Sequence, residues 1–329
     1  MAPLDKTHGI FFDAPGGPDV LKWREIPLPP PGPGAAQIIH RAIGVNFIDT
    51  YHRAGAYPLP LPSGLGLEAA GYVSKVGAGV KEFKAGDRVA YTAGPVGAYA
   101  EAANVPESHL ISLPEDISEE HAAAIMLKGL TAHFLIHQTF PLTDAHTVLL
   151  HAAAGGVGLL ACQWAHHLGA RVFGTVGSPD KAKLATAHGC AAAILYNEVD
   201  FVSEIKRLTS GAGVDVVYDS VGAATFMKSL DCLKKRGLLV SFGNASGPPP
   251  KLDLGLLATK GSLYVTRPTL FNHIDHPHAL RQAAAALFDF IRQKNVKINI
   301  GQTYALKDAA QAHRDLETRK TSGSTLLIP

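Results

Sequence analysis

The chain has 329 residues, 47% of them hydrophobic and 18% charged, with 30 lysines and arginines against 28 aspartates and glutamates. That length favours two domains, each able to bury a core, and a formal net charge of +2 supplies no electrostatic drive toward nucleic acid or an anionic membrane. No apolar run approaches the roughly 18 residues of a membrane span, and the opening MAPLDKTHGI lacks a basic-then-apolar signal pattern.

Residues 1–128 are rich in glycine, proline and short β-type runs. Pro27, Pro29, Pro30, Pro31 and Pro33 predict a stiff loop that cannot be helical. Residues 37–43, 66–76 and 88–91 read as strands, with Gly77 and Gly79 turning the chain after the second. Strand signals at this spacing predict a partly closed β-barrel. Between the first two lies NFIDTYHRAGAY, residues 46–57, which reads as a polar and aromatic loop. It is either a solvated loop held by Asx turns or a wall of the active site. Ser118 is the expected N-cap of a helix running through residues 122–127.

The middle of the chain alternates strand and helix. Residues 147–151 are an apolar strand, 152–158 a small-residue turn and 159–165 a helix that Gly169 ends. The turn reads Ala153-x-Gly155-x-x-Gly158, a variant of the dinucleotide fingerprint with alanine first. Missing Cβ atoms let backbone N–H groups approach a pyrophosphate, which the positive end of the helix then faces. Strands follow at 171–176, 193–196, 214–218, 238–242 and 262–266, with helices at 179–188, 201–209 and 223–233. Six strands with intervening helices predict a doubly wound parallel sheet in the order 3-2-1-4-5-6, with ligands outside the strands' carboxyl ends. An NAD site carries Asp or Glu about 20 residues past the glycine turn. Here Gly177 and Ser178 hold that place and Lys181 follows one helical turn later. Without a carboxylate to repel a 2′-phosphate, NADPH is the expected cofactor. Asp180 could offset that reading by pairing with Lys181. The turns Asp219-Ser220-Val221-Gly222 and Gly243-Asn244-Ala245-Ser246-Gly247 suit backbone contact with a dinucleotide, or are ordinary turns.

In the tail, residues 278–293 form an amphipathic helix, 296–300 a strand, 307–318 a second helix and 325–328 a final strand. Coming after the six-strand unit is complete, this tail is expected to return to the first domain. The segments NFIDTY, GLEAAGYV, KAGDRV, LKGLTA, HAAAGGVG, VYDSVG, SFGNASG, LYVTRP and STLLIP together resemble the NADPH:quinone oxidoreductases of the zeta-crystallin-like branch of the medium-chain dehydrogenases. The resemblance covers nearly the whole chain. It implies an α/β architecture: a GroES-like β-barrel catalytic domain, residues 1–128 and 269–329, plus a doubly wound parallel-sheet Rossmann domain, residues 129–268. It places the cofactor in the cleft between them and implies a homodimer through the Rossmann edge strand from Ser262 to Thr266.

The zinc enzymes of the same superfamily are the natural rival. Their catalytic zinc needs a cysteine in the first-domain loop and a histidine before a glutamate, whereas this chain has Asn46 and Leu67 before Glu68. Zinc is held by Cys, His and carboxylate ligands in threes and fours. The chain's 16 histidines are scattered, and its cysteines are only Cys162, Cys190 and Cys232. No metal site is expected. Cysteines so few and so far apart fit a reducing, cytoplasmic setting.

Carried over residue by residue, the resemblance puts Asn46, Phe47, Ile48, Asp49 and Tyr51 at the nicotinamide and substrate, with Lys128 and Thr131 beside the cofactor. Ala154, Gly155, Gly156 and Val157 would lie under the pyrophosphate. Gly177, Ser178, Lys181, Tyr196 and Arg319 would surround the 2′-phosphate ribose. Ser220, Val221, Phe242, Gly243, Asn244 and Val265 to Arg267 would line the rest of the dinucleotide. The implied reaction is zinc-independent reduction of a quinone by NADPH, and Asn46, Tyr51 and Tyr57 are candidate donors to the quinone oxygen. Two other readings stay open: an NADPH-dependent reductase of α,β-unsaturated aldehydes or ketones, and a non-catalytic nucleotide-gated protein that binds RNA or serves as a lens-type crystallin. The near-zero net charge and the lack of basic or aromatic clusters speak against RNA.

Overall fold

The computed structural model describes residues 5–329; Met1–Leu4, the first residues of the segment without a signal pattern, lie outside the described residues. The chain divides into two compact units. One holds the described residues up to Lys128 with Ile274–Ala285 and Ile298–Pro329; the other holds Gly129–His273 and Ala286–Lys297.

In chain order the first part contains β1 (Lys6–Phe12), β2 (Lys22–Pro27), β3 (Ala35–Val45), α1 (Phe47–Arg53), β4 (Ser63–Gly64), β5 (Glu68–Val76), β6 (Arg88–Thr92), β7 (Ala102–Pro106), β8 (Leu110–Ser112) and α2 (Glu119–Phe134). Ser118 caps α2 as expected, its Oγ accepting from His121 N at 3.1 Å. Two sequence expectations need correction. Pro27 ends β2 rather than opening the proline loop; β2 is an edge strand of the sheet β2-β1-β4, where a missing N–H leaves no ladder bond unmade. Residues 46–57 are not a plain loop, because Phe47–Arg53 is helical. A seven-residue helix is too short to show periodicity, and this one is held by its cap and by buried partners.

The second unit carries β9 (Thr147–Leu150), α3 (Gly156–His167), β10 (Arg171–Val176), α4 (Pro179–Ala187), β11 (Ala192–Leu195), α5 (Phe201–Leu208), β12 (Val214–Asp219), α6 (Phe226–Leu230), β13 (Leu233–Ser241), α7 (Leu254–Thr259) and β14 (Tyr264–Thr266). The sheet order is β11-β10-β9-β12-β13-β14, with every neighbouring pair parallel. This is the expected 3-2-1-4-5-6 order. All six residues of β12 are buried, as befits a strand covered on both faces. Around it, Leu149, Phe173, Ile205, Val217 and Leu239 form the core, each such side chain contributing about 1.5–3 kcal/mol on burial. The helix expected over 223–233 shrinks to Phe226–Leu230. Gly222 sits at φ +88° and delays its start, while Leu233–Lys235, expected to end it or follow it as coil, open β13. The last strand begins at Tyr264 rather than Ser262, which holds a positive φ of 56°. The short helix α7 gave no recognisable signal.

The tail adds α8 (Pro277–Gln293), β15 (Ile300–Ala305), α9 (Ala309–Glu317) and β16 (Ser324–Ile328). The expected strand at 296–300 is displaced: pairing starts at Ile300, and burial alternates along Ile300–Ala305. β16 pairs with β3 antiparallel and with β15 parallel, so the tail completes the seven-stranded sheet β15-β16-β3-β5-β6-β8, with β7 also on β3. Among the described residues no helix is long and apolar enough to cross a membrane.

Candidate functional site

In the second unit the candidate residues gather at the carboxyl ends of the strands. Gly155 caps α3 with extended backbone (φ −80°, ψ 171°) and offers no side-chain cap. The unpaired N–H groups of the helix start are therefore left for an anion. Turn and helix meet too closely for a side chain at Gly158, where a Cβ would lie 2.4 Å from the Ala152 carbonyl oxygen and 2.6 Å from that of Ala153. The alanine that replaces the first glycine is accommodated from the neighbouring strand: a Cβ on Gly174 of β10 would meet the Ala153 Cβ at 2.4 Å. The methyl tolerated at Ala153 is thus matched by a glycine opposite it. Ala154 is buried, and Gly155, Gly156 and Val157 are half-buried.

The end of β10 collects a second group. A Cβ on Gly177 would lie 2.7 Å from the Tyr196 hydroxyl, and Asn197 Nδ2 donates to the Gly177 carbonyl at 3.0 Å. Ser178 caps α4, accepting from Lys181 N at 3.4 Å. Asp180 faces solvent and pairs with Lys183 at 3.3 Å, three residues along the same helix. No carboxylate therefore occupies the place that reads the ribose in an NAD site. At the third end, Asp219 Oδ1 accepts from Val221 N at 2.8 Å and Gly222 N at 3.0 Å, which shapes the turn at Ser220. Gly243 allows β13's exit to pass, since a Cβ there would lie 2.5 Å from the Ser220 carbonyl oxygen. Arg267 Nη1 reaches Ser241 Oγ and the Gly243 carbonyl oxygen, both at 3.1 Å, beside Phe242, Asn244 and Val265. Glycine turns, an uncapped helix start and hydroxyl and lysine groups at the β10 end fit a phosphorylated dinucleotide.

In the first unit the candidates lie on α1 and around Glu68. Asn46 is the N-cap of α1 and its Nδ2 donates to Glu68 Oε2 at 2.8 Å. Lys128 Nζ reaches the same oxygen at 3.2 Å, and Leu127 N reaches Oε1 at 2.6 Å. Gly44 makes room, because a Cβ there would lie 2.1 Å from Glu68 Oε2. Amide, carboxylate and ammonium groups thus satisfy one another around Glu68. Among the described residues no three His, Cys, Asp or Glu side chains are arranged to hold an ion.

Asp49 is fully buried and turned inward. Its Oδ2 accepts from Asn46 N at 2.8 Å and from the Tyr99 hydroxyl at 2.9 Å. Behind Tyr99, His313 Nε2 lies 3.1 Å away, and Arg53 donates to His313 Nδ1 at 3.0 Å. Arginine only donates, so His313 carries its proton on Nε2 and gives it to Tyr99. Burial, then the Arg53 charge, push His313 down to about 3, while burial raises Asp49 to about 7 against its hydrogen bonds. Phe47 and Ile48 open α1 half-buried. Tyr51 and Tyr57 meet edge to face, with centroids 5.3 Å apart. Thr131 lies in the second unit and Arg319 in the first, the latter exposed with φ +60°.

The raised Asp49 value has a testable sign. Its folded pKa lies above that of an unfolded carboxylate, so its stabilising contribution is complete below about pH 4 and disappears as pH rises through about 7. The difference in unfolding free energy between wild type and Asp49→Asn should therefore change across pH 4–7 and level off above pH 8. A difference independent of pH would show that Asp49 is ionised throughout.

Sequence reasoning did not single out Glu68, His151 or Asn197 as site-forming, and it read Asp219 only as part of a turn. Glu68 serves Asn46 from 22 residues away and Lys128 from 60, separations that leave no local pattern.

Known proteins resemble the chain along nearly its whole length. Residues 32–115 match the alcohol dehydrogenase GroES-like domain, and residues 156–287 match the zinc-binding dehydrogenase family. A quinone oxidoreductase of Pseudomonas aeruginosa is 53% identical over 97% of this chain and 99% of its own. The crystal structure of Escherichia coli quinone oxidoreductase complexed with NADPH superposes with a TM-score of 0.96 at 50% identity, covering 98% of this chain and all of that one. A 2-haloacrylate reductase from a Burkholderia species is 42% identical over 95% of this chain and 96% of its own.

Proposed function

The chain belongs to the quinone oxidoreductases, which share the GroES-like and Rossmann architecture of the zinc-binding dehydrogenases, and from that premise we propose that it reduces quinones with NADPH without a metal. The observation that carries the reading is the pairing of Asn46 and Lys128 on Glu68: an internal ammonium answers the buried carboxylate.

When bound, NADPH supplies a hydride. The protein's part is to hold it and to receive charge. The start of α3 and the turns after β10, β12 and β13 bind the phosphates and ribose, with Ser178, Lys181 and Tyr196 reading the 2′-phosphate. Hydride delivery puts negative charge on the quinone oxygen, and hydrogen-bond donors must receive it. Tyr51 and Tyr57 are those donors; the Asn46 amide, expected to be a third, is buried and spends its hydrogens on Glu68 Oε2 and the Gly44 carbonyl oxygen. Asp49 acts from inside the helix by fixing the backbone of Asn46. Tyr51→Phe should lower turnover modestly; a loss above roughly 10³-fold would make Tyr51 an obligatory acid instead, since positioned acid–base groups contribute about that much. The protein works in this reading as a homodimer joined through the edge strand that ends at Thr266, whose Tyr264 is 59% exposed, and in the cytoplasm, as its three buried free cysteines suit.

The 2-haloacrylate reductase relative supports a second reading, reduction of activated carbon–carbon double bonds on the same scaffold. One experiment separates the two: NADPH and NADH oxidation against a panel of quinones and 2-alkenals, with a chelator present. Chelator-insensitive oxidation of NADPH by quinones alone is the expected result. Turnover of alkenals alone would establish the second reading, and equal use of NADH would overturn the assignment of Ser178 and Lys181.

A further inference from the structure

A buried polar network lies beneath the dinucleotide turns. His151, 1% exposed, directly follows β9 and opens the fingerprint turn. Its Nδ1 lies 2.9 Å from Thr175 Oγ1 in β10, and its Nε2 lies 2.9 Å from Ser229 Oγ in α6. Ser229 Oγ in turn donates either to the Thr225 carbonyl oxygen at 2.9 Å or to Asp219 Oδ2 at 3.4 Å. With its one hydrogen used in that way, the serine oxygen accepts from His151. The imidazole is therefore protonated on Nε2, and Nδ1 accepts from Thr175. Burial pushes His151 below its ordinary value while Asp219 pulls it the other way.

Backbone bonds extend the network. Ala153 N donates to the Thr175 carbonyl oxygen at 3.1 Å, and His151 N to that of Tyr218 at 3.0 Å. Asp219 holds the Ser220–Gly222 turn through Oδ1, while its Oδ2 faces Thr225 Oγ1 at 2.8 Å and Ser229 Oγ at 3.4 Å. His151 thus opens one turn, its side chain bonds β10 before a second and α6 after a third, and its backbone N–H bonds the end of β12. The three turns are the pyrophosphate turn after β9, the 2′-phosphate turn after β10 and the turn after β12. Apolar packing would suffice if only burial were needed, and Phe201 already lies edge-on to the ring at 5.0 Å. A satisfied polar network instead specifies one relative arrangement of its members.

We infer that His151 is a positioning residue for NADPH: through Thr175 it sets the turn that reads the 2′-phosphate, and through Ser229 and Asp219 it sets the turn after β12. The inference rests on the cofactor reading given above. Its two arms make it separable from a general role in stability.

The test is direct binding, by titration calorimetry, of NADPH and of adenosine 2′,5′-bisphosphate, alongside thermal unfolding. Thr175→Val removes one hydroxyl at nearly constant volume. It should weaken bisphosphate binding about tenfold, the ratio that loss of one buried hydrogen bond carries, and lower the preference for NADPH over NADH. Thr175→Ser should restore both. Ser229→Ala should weaken NADPH by a similar factor but change bisphosphate binding by less than about twofold. Variants that unfold at lower temperature yet keep wild-type affinity for both ligands would overturn the inference. So would equal losses of both ligands in both variants, because the two arms would then not be distinct. If Thr175→Val fails to fold, Thr175→Ala takes its place under the same criteria. Failure of the wild-type chain to bind NADPH would overturn the cofactor reading itself.

Discussion

Gly155→Asp should abolish NADPH binding while leaving the protein folded and slightly more stable. Gly155 is the N-cap of α3 and its φ of −80° and ψ of 171° are open to any L-residue. A Cβ there meets only the Ala152 carbonyl oxygen, at 3.2 Å, which asks for a small adjustment. Aspartate is among the best N-caps and offers its carboxylate to the first-turn N–H groups, worth roughly a few tenths of a kcal/mol over glycine. The same carboxylate would occupy the anion site and repel the pyrophosphate. At about 5 Å and an effective dielectric near 20, each pair of unit charges costs on the order of 3 kcal/mol. Affinity should therefore fall at least about 100-fold. Calorimetric titration with NADPH and thermal unfolding read the two effects separately. Retained binding would mean that the glycines serve only as a tight turn.

Lys128→Met should cost about 3–5 kcal/mol, the usual penalty for stranding one member of a buried pair. Lys128 is 6% exposed and Glu68 is fully buried. The variant leaves the Glu68 carboxylate with only Asn46 Nδ2 and Leu127 N. At roughly 2–4 °C per kcal/mol for a chain of this size, the unfolding midpoint should drop by about 10 °C. Glu68→Gln in the same chain should recover most of that loss, because the buried charge is removed along with its partner. A single-variant loss below about 1 kcal/mol would show that Glu68 does not depend on the ammonium. The double variant also tests function. If folding is restored and quinone turnover is not, Lys128 acts on the cofactor as well as on Glu68.

Parts of this protein are legible from local sequence and parts are not. The parallel sheet of the second unit is legible because each buried strand is a short apolar run bounded by glycine or by a capped helix, as in 147–176. The fingerprint turn is legible despite Ala153, although its compensation by Gly174 requires knowing that β9 and β10 are neighbours. The helix α1 escaped notice for a different reason. Between Asn46 and Tyr57 only one aromatic pair, Phe47 and Tyr51, stands at helical spacing, and the helix is stabilised by Asp49 accepting from the Asn46 backbone and from Tyr99, 50 residues away.

By itself, the sequence determined the strand order of the dinucleotide unit, the place of its glycine turns and the lack of a carboxylate after β10. Those features are written in residue type and spacing within a few tens of residues. It also determined family membership, which the motifs carry along the whole chain. Tertiary structure alone decided that Glu68 gathers Asn46 and Lys128 and that Arg53 orders His313 from 260 residues away. It also decided that His151 bonds Thr175 of β10 and Ser229 of α6. Buried charges and neutral histidines persist only where partners from distant segments satisfy them. Which partners arrive is set by how the sheets close, and no local pattern records it.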